Sequence, residues 1–290
     1  MEKYIWPENS PIILAATPIG NVQDASTRLI GALEQADIIA AEDTRKTLNL
    51  AKRLNIKLKA KLISCHEHNE KDRVERIVDQ AINGRKVLLV TDAGMPTVSD
   101  PGLTVARYAI EKNVKYTVIP GPSAPLTALA LSGISTDKFT FEGFLPRKEN
   151  DLEKTLLELE FEKRTMIFFE SPRRCKDTIV KMMEIFGENR KIAICRELTK
   201  IHEETIRGTI KEILENPLED ILGEVTIVLA GADKKKLDPK RYVDQVLELV
   251  SQGSKMKEAV NIVSKATGVS KNELYNVALN IKTKKDSDND

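Results

Sequence analysis

Polar and glycine-rich segments follow five short apolar runs in the first part of the chain, and chemistry is expected there. The segments are 17–21, 42–45, 65–69, 92–102 and 120–124. The runs before them, such as IILA and VLLV, are typical of buried parallel strands. Because the carboxyl ends of parallel strands meet at one edge of a sheet, we expect the five segments to form one ligand cleft.

The longest of these segments, DAGMPTVSDPG at 92–102, has the clearest signature of a ligand-binding loop. It holds two glycines and two prolines in eleven residues, which fixes a long irregular path. Gly94 and Gly102 allow the backbone to approach a ligand closely. A purely structural loop is the alternative, but rigidity in a long loop more often serves function.

Common nucleotide and metal motifs do not explain the cleft. No G-x-G-x-x-G follows the first run and no G-x-x-x-x-G-K-[ST] occurs, which disfavours a dinucleotide site and a P-loop. In CHEH at 65–68 the two histidines of a strand would share one face, while Cys65 and Glu67 would point to the other. The sequence therefore predicts no metal. The three cysteines lie far apart, so no disulfide is expected either.

Two groups of charged residues follow apolar runs in the second half of the chain. Arg173 and Arg174 come after FFESP, and Arg196, Glu197 and Lys200 come after IAIC. Arginine is suited to binding phosphate at a cleft. Surface ion pairing explains the same residues equally well, and both interpretations stay open.

The order of apolar runs and helical patterns predicts an α/β scaffold for these candidates. Residues 1–120 alternate β-branched runs with amphipathic stretches, which is typical of successive β-α-β units on a parallel sheet. Residues 121–233 have fewer helical patterns, which favours a mixed sheet. We expect two α/β domains with these bounds.

Residues 234–290 form a third region with a different composition. KKKLDP reads as a linker, and three helical patterns follow, with Gly268 in a tight turn and with Val269, Leu274 and Val277 spaced for a shared core. Residues 234–285 carry 12 Lys and Arg against 5 Asp and Glu, although the whole chain has a net charge of only +1. This pattern resembles a basic helix-turn-helix. A small helical hairpin packed on the body is the alternative.

The overall composition is that of an ordinary globular protein. Of the 290 residues, 41% are hydrophobic and 31% charged, which argues against a disordered chain. No apolar run approaches the roughly 20 residues needed to cross a bilayer, and the first residues lack a leader pattern. We expect a cytoplasmic protein with no membrane partner.

Several long motifs carry a resemblance to a known family. They are LAATPIGNVQDASTRLIGALEQADIIAAEDTRKT, VTDAGMPTVSDPG, VIPGPSA, FEGFLPRK, FFESPRR and CRELTKIHEE. Together they resemble the ribosomal RNA small subunit methyltransferases I of the tetrapyrrole methylase superfamily, over essentially the whole chain. The resemblance implies S-adenosylmethionine (SAM)-dependent methylation of the 2′-hydroxyl of a cytidine in the decoding region of 16S ribosomal RNA. It also implies a homodimer, the cofactor in the cleft between two α/β domains, and a C-terminal helix-turn-helix extension.

The resemblance also assigns the cofactor to particular positions. TPIGN and AGMP depart from the glycine-rich first loop and the GDP-type fourth loop of the wider superfamily, and Gly94 stands where those relatives have an aspartate. The cofactor positions are Thr17, Pro18, Ile19, Gly20, Gly94, Met95, Pro96, Ser123, Ala124, Ser171, Cys195, Arg196 and Glu197. The resemblance places Glu170 next to the cofactor as well.

The chemistry implied by the resemblance requires a proton acceptor and contacts to RNA. A ribose hydroxyl is a poor nucleophile until it loses its proton, so a carboxylate at a strand end is expected to act as general base. The candidates are Asp43, Asp100 and Glu170. The candidates for seating RNA phosphate are Arg28, Arg45, Lys148, Arg173 and Arg174, together with the lysines of residues 234–285.

Two alternatives compete with this interpretation. The first is a methyltransferase of the same fold that acts on a tetrapyrrole or another small metabolite, in which case the basic C-terminal region is incidental. The second is an RNA-binding or assembly protein that has kept the fold and lost the cofactor, and the rigid loops argue against it. Methyl transfer to a porphyrinogen would support the first alternative, and failure to bind SAM would support the second.

Overall fold

The computed structural model describes residues 4–66, 70–215, 223–232, 239–267 and 269–287. Three parts of the chain discussed above lie outside the described residues. They are the predicted turn residue Gly268, residues 67–69 and the KKKLDP segment up to residue 238. The chain divides into one compact unit of residues 1–232 and a second of residues 233–290.

The first sheet of the larger unit has five strands in the order β3-β2-β4-β1-β5. Each neighbouring pair is parallel, which confirms the parallel sheet expected from the apolar runs. Strands β1, β2 and β4 are buried along their whole length because helices cover both faces of the sheet. The strands are β1 (Ile12–Ala15), β2 (Ile38–Ala41), β3 (Lys61–Ser64), β4 (Val87–Val90) and β5 (Tyr116–Ile119).

Four helices connect these strands and divide between the two faces of the sheet. They are α1 (Thr27–Gln35), α2 (Thr44–Arg53), α3 (Glu70–Ile82) and α4 (Leu103–Glu111). Leu29 and Leu33 of α1 pack with Ile13 of β1 on one face. Ile77 of α3 and Val105 of α4 pack on the other face. The chain thus leaves the neighbouring strands β1 and β4 toward opposite faces, and this is the place where α/β sheets open a ligand crevice.

The second sheet also has five strands, in the order β6-β7-β10-β8-β9. Only β6 and β7 pair in parallel, and the other pairs are antiparallel, so the predicted mixed sheet is confirmed. The strands are β6 (Phe139–Phe144), β7 (Thr165–Glu170), β8 (Lys191–Arg196), β9 (Glu204–Thr209) and β10 (Val225–Leu229).

Helices again cover both faces of this second sheet. Phe168 and Ile227 pack against residues of α6 (Glu149–Glu158) and α7 (Pro172–Phe186) on one face, with α8 (Ile210–Glu215) beside them. On the other face Ala128 and Leu129 of α5 (Ala124–Ser132) pack with Ile167. Since α5 begins directly after the first sheet and packs on the second, it joins the two halves into one compact unit.

The described residues of the unit 233–290 are mainly helical, as the sequence predicted. A short 3-10 turn (Pro239–Tyr242) precedes α9 (Val243–Ser251), α10 (Met256–Thr267) and α11 (Lys271–Ser287). Val269 and Leu274 are buried in its core, and Val277 packs against them, which confirms their shared role. In the part of the chain that the structure describes, no helix is both long and apolar enough to cross a membrane.

Candidate active site

A cavity of about 390 Å³ opens where the strand ends of the first sheet meet the second half of the same unit. Segments after β1, β2, β4 and β5 supply one wall, and β6, β7, β10 and the start of α7 supply the other. The lining residues are Ile19, Glu42, Lys46, Asp92, Ala93, Gly94, Met95, Val98, Ser99, Asp100, Ser123, Ala124, Pro125, Phe144, Phe169, Glu170, Ser171, Pro172, Gly223, Glu224, Val225 and Thr226.

A larger groove of about 850 Å³ lies at the opposite edge of the first sheet, by the strand starts. Ile38, Lys61 and Lys86 are among its lining residues. It is an open surface groove rather than an enclosure, and ligands of α/β sheets bind at the carboxyl ends of strands. The smaller cavity is therefore the candidate active site.

The loop 92–102 is held in an uncommon backbone conformation beside this cavity. Gly94 has φ +84°, and the non-glycine residues Thr97 and Ser99 have φ +74° and +61°. Such conformations cost free energy at non-glycine residues and persist only where the surroundings impose them. Two backbone hydrogen bonds fix the loop to the end of β1, from Thr17 N to Gly94 O (3.0 Å) and from Gly94 N to Thr17 O (3.1 Å).

The segment after β1 brings the two halves of the unit together. Ile19 lines the cavity and packs with Leu198 of the second half. A Cβ atom on Gly20 would lie 2.7 Å from Thr199 Oγ1 and 2.9 Å from the Leu198 carbonyl oxygen, so only glycine fits without displacement. The backbone N–H of Asn21 donates to Thr199 Oγ1 at 3.0 Å. The predicted cofactor residue Gly20 thus serves close packing next to the cavity.

A cluster of acidic residues with one lysine lines the first wall of the cavity. The Lys46 ammonium lies 2.8 Å from Asp92 Oδ2, and Asp92 Oδ1 accepts the backbone N–H of Asp43 at 2.9 Å. Glu42 Oε2 accepts the backbone N–H of Asp92 at 3.2 Å. These contacts join the ends of β2 and β4, and they fix the acidic side chains relative to each other.

Asp100 belongs to this group and has an unusual acidity. Burial raises the pKa of the Asp100 carboxyl to about 7, and repulsion by the Glu42 carboxylate adds to the shift. Burial also raises the pKa of Glu42 itself. A carboxyl with a pKa near neutrality exchanges its proton at physiological pH, as a general base in a cleft must.

The second predicted base, Asp43, has the opposite character. It caps the N-terminus of α2, where its Oδ1 accepts the backbone N–H of Arg45 at 2.8 Å. The Arg45 guanidinium also donates to both carboxylate oxygens, at 3.0 and 2.7 Å. These hydrogen bonds lower the pKa of Asp43 to about 2. Asp43 is not among the residues that line the cavity, so the structure disfavours it as a base.

The third predicted base, Glu170, lines the cavity with its oxygens already engaged. Its Oε1 accepts the backbone N–H of Ser171 at 2.7 Å and lies 3.3 Å from Arg174 Nη1. Its Oε2 accepts the Thr178 hydroxyl at 2.8 Å. The side chain is only 1% exposed. Glu170 therefore anchors the first turns of α7 rather than offering a free oxygen to a substrate.

The predicted cofactor residues divide between the cavity and its surroundings. The cavity-lining members are Ile19, Gly94, Met95, Ser123, Ala124 and Ser171, and Thr17, Pro18, Gly20 and Pro96 lie beside them in the same loops. Cys195 does not reach the cavity, because it is buried under α5, where its thiol donates to the Ala128 carbonyl at 3.8 Å. Cys65 is likewise packed in the apolar core of the first sheet.

Arg196 and Glu197 are engaged in ion pairs near the cavity rim. Arg196 Nε donates to Glu204 Oε2 at 2.6 Å. Glu197 Oε1 accepts the Lys200 ammonium at 2.8 Å and the backbone N–H of Glu224 at 3.1 Å. Since Glu224 lines the cavity, Glu197 supports that wall from behind.

A cluster of aromatic rings lies at the second wall of the cavity, and the sequence did not predict it there. Phe144 and Phe169 line the cavity with ring centroids 5.3 Å apart, and Phe141 meets Phe169 edge-on at 4.9 Å. Glu42, Lys46, Asp92 and Glu224 were also missed as individual residues. Glu42 and Asp92 do lie in the strand-end segments that the sequence singled out. The phenylalanines lie in the family motifs FEGFLPRK and FFESPRR, but they were not predicted as site residues.

The predicted RNA contacts lie away from the cavity walls. Arg28, Lys148 and Arg173 are exposed, and the Arg45 side chain is 88% exposed although it is paired with Asp43. Arg174 donates to the carbonyl oxygens of Leu145 (3.3 Å) and Pro146 (2.6 Å), in addition to its contact with Glu170. Arg174 thus has a structural role in holding the segment between β6 and α6.

Metal chemistry finds no support in the described residues. Within the described ranges, no group of three or more His, Cys, Asp or Glu side chains is placed to hold a metal ion. Residues 67–69, which complete the CHEH motif, lie outside those ranges.

Comparison with known proteins identifies the family. A model of the tetrapyrrole (corrin/porphyrin) methylases matches residues 11–214. The ribosomal RNA small subunit methyltransferase I of Mycobacterium bovis is 44% identical, over 92% of this chain and 94% of that protein. The same-named protein of Halalkalibacterium halodurans is 41% identical, over 93% and 95%. The chain belongs to the ribosomal RNA small subunit methyltransferase I family, within the tetrapyrrole methylases.

Solved structures place the family's methylase fold in a wider group. The cobalt precorrin-4 methyltransferase structure is 17% identical with a TM-score of 0.56, covering 78% of this chain and 97% of that one. Diphthine synthase is 14% identical with a TM-score of 0.55, covering 76% and 89%. At these identities the likeness shows the fold alone.

A second family model, the RsmI C-terminal HTH domain, matches residues 237–282.

The cavity of this family member fits a methyl-donating cofactor of the SAM type. Its volume of about 390 Å³ lies in the range of small-ligand sites, about 300–1,000 Å³. Among its described lining residues, five carry carboxyl groups and Lys46 carries the positive charge. A net acidic enclosure favours a cationic ligand such as a sulfonium.

Proposed function

We propose that this chain methylates the ribose 2′-hydroxyl of a cytidine in the decoding region of 16S ribosomal RNA, with SAM as donor and the small ribosomal subunit as substrate. The curated relatives, whose names state action on small-subunit ribosomal RNA, align over more than 90% of both chains. The single observation that carries the proposal is the cavity between two walls with the near-neutral Asp100 carboxyl in it.

The cofactor is proposed to lie between the two walls. The residues that would hold it are the cavity-lining members of the predicted set, Ile19, Gly94, Met95, Ser123, Ala124 and Ser171. Its bound form supplies an electrophilic methyl group on a sulfonium. The fixed loop 92–102 and the packing around Gly20 hold the two walls in register, which favours alignment of the reacting groups.

Asp100 is the proposed general base for the ribose hydroxyl. Its raised pKa gives it more affinity for a proton than an ordinary aspartate has, and it still loses that proton near neutral pH. The Glu42 carboxylate raises the pKa of Asp100 by repulsion, and Lys46 holds the side chain of Asp92 in place beside Glu42. Asp43 and Glu170 are assigned to structure, because their oxygens are occupied by hydrogen bonds.

RNA is proposed to approach over basic surfaces outside the cavity. Arg28, Lys148 and Arg173 are exposed, and the helical unit of residues 233–290 carries exposed Lys255, Lys257 and Lys271. Phosphate contacts of this kind weaken with added salt because bound counterions are released. We further propose that the enzyme is a cytoplasmic homodimer, as the family resemblance implies.

Methylation of a tetrapyrrole or another small metabolite is the less supported alternative. The names of the relatives at 41–44% identity refer to ribosomal RNA. The solved structures of tetrapyrrole enzymes share the fold at 13–18% identity, and the family model that matches residues 11–214 describes the corrin and porphyrin methylases as a group.

The decisive experiment is methyl transfer from labelled SAM to purified small subunits that lack the modification. The full chain is expected to incorporate one methyl group, which mass spectrometry of ribonuclease fragments would locate on the ribose of a decoding-region cytidine. Naked 16S RNA and a porphyrinogen serve as comparison substrates. Label in the porphyrinogen and none in the subunit would overturn the proposal.

A further inference from the structure

We propose that the Phe144 ring is the platform on which the target cytosine stacks while its ribose is methylated. This inference rests on the proposed function and specifies how the acceptor nucleotide is held.

Phe144 is exposed in a way that burial in the core does not explain. It lines the cavity and is 67% exposed, whereas the neighbouring β7 residue Phe168 is fully buried. Phe169 supports the ring from behind at 5.3 Å, and Phe141 in turn contacts Phe169 at 4.9 Å. An exposed ring that is backed by two others presents a rigid flat surface toward the cavity.

A β-bulge puts the Phe144 ring on this face. In a regular strand, side chains three positions apart point to opposite faces, so Phe141 and Phe144 would be separated. The register of β6 against β7 shifts between Phe141 and Gly143, and Gly143 has φ +68°. Both phenylalanines therefore meet Phe169. Bulges recur next to active sites, where they re-aim a side chain.

The bulge also lies against the loop that carries Asp100. A Cβ atom added to Gly143 would lie 3.6 Å from Ser99 Oγ. Ser99 and Gly143 therefore lie close enough for an added methyl group to bridge them, and their chain neighbours Asp100 and Phe144 both line the same cavity. A base and the 2′-hydroxyl of one nucleotide are joined through a single sugar, so one nucleotide can reach the ring and the carboxyl together.

The acidic lining of the cavity favours an uncharged contact for the target nucleotide. Glu42, Asp100 and Glu224 line the cavity, and negatively charged carboxylates disfavour a close phosphate. Stacking on an aromatic ring needs no charge, and proteins that read unpaired RNA bases use it widely. Because the ring faces solvent, it suits a base that arrives from outside better than a cofactor enclosed below it.

The test compares Phe144→Ala and Phe144→Tyr with Phe139→Ala in methylation of small subunits. Phe139 is the matched control, since it lies on the same strand, is 40% exposed and does not line the cavity. Loss of one stacked base lowers kcat/KM for subunits by roughly 5- to 150-fold in Phe144→Ala. We expect Phe144→Tyr to retain most of the wild-type kcat/KM and Phe139→Ala to behave as wild type. SAM affinity, measured by calorimetry, should stay unchanged in all variants.

Two results would overturn the inference while leaving the proposed function intact. One is an unchanged kcat/KM for Phe144→Ala, and the other is a parallel loss of SAM affinity, which would assign the ring to the cofactor's adenine. A wild-type chain that binds SAM and leaves subunits unmethylated would instead remove the proposed function and this inference with it. Thermal melting of each variant shows whether a loss of activity comes from unfolding.

Discussion

The two walls of the cavity differ in chemistry. The wall from the first sheet is ionisable, with Glu42, Lys46, Asp92 and Asp100 tied together across strand ends. The wall from the second sheet carries the rings of Phe144 and Phe169, and its two carboxyl groups, Glu170 and Glu224, are each paired with a cation. The comparison indicates a division of labour, in which the first wall handles the proton and the second positions the acceptor base.

Removing the carboxyl of Asp100 should have the largest effect on this division. Asp100→Asn keeps the size of the side chain and removes the proton acceptor, so turnover on small subunits should fall about 10²- to 10⁴-fold. SAM affinity should change little, because the loss concerns the acceptor hydroxyl. Single-turnover methylation and calorimetry measure the two quantities separately. Turnover near the wild-type value would remove Asp100 as the base and leave the first wall without a catalytic role.

A substitution at Gly20 that pushes the two walls apart should have the next largest effect. Gly20→Ala puts a methyl group against Thr199 and the Leu198 carbonyl, and overpacking of this kind costs about 1–3 kcal/mol. We expect a lower melting temperature together with weaker SAM binding, because both walls shift relative to each other. Differential scanning calorimetry with and without SAM measures both. A variant as stable as wild type would show that the segment 17–21 can move aside.

The pH dependence of the reaction tests the first wall on its own. With the Asp100 pKa near 7, kcat/KM should rise with pH, reach half of its maximum at about pH 7 and level off above it, since the unprotonated carboxylate is the active form. Glu42→Gln removes a repelling charge, so the acidic limb should move to lower pH. Methylation rates measured between pH 5.5 and 8.5 at constant ionic strength show the shift. An unmoved limb in Glu42→Gln would mean that another group limits the rate.

The smallest effect is expected at Asp43, which lies beside the first wall without being part of it. Asp43→Asn keeps an N-cap side chain for α2 and loses only the exposed pair with Arg45. Turnover should stay close to wild type at every pH. A large loss would show that the N-terminus of α2 contacts the substrate, and the assignment of chemistry to Asp100 would need revision.

The strand-end segments show how far the sequence predicts the site. Four of the five predicted segments contribute residues that line the cavity. In the fifth, Cys65 lies in the core of the first sheet and residues 67–69 lie outside the described residues. The second wall was predicted less well. Cys195 was expected at the cofactor and is buried under α5, while Phe144 was not singled out at all. A mixed sheet has strands running in both directions, so position along a strand does not tell which end faces the cleft.

Apolar periodicity and long motifs are local properties of the chain, so the amino-acid sequence alone predicts the parallel sheet, its polar strand ends, the helical C-terminal region and the family. Which of the three candidate carboxyl groups has a near-neutral pKa, and which rings line the cavity, depends on contacts that form only in the folded chain. Acidity depends on burial and on charges brought from elsewhere, as Glu42 is brought to Asp100. The direction in which a strand side chain points depends on the pairing register of the strand, as the register shift before Gly143 shows.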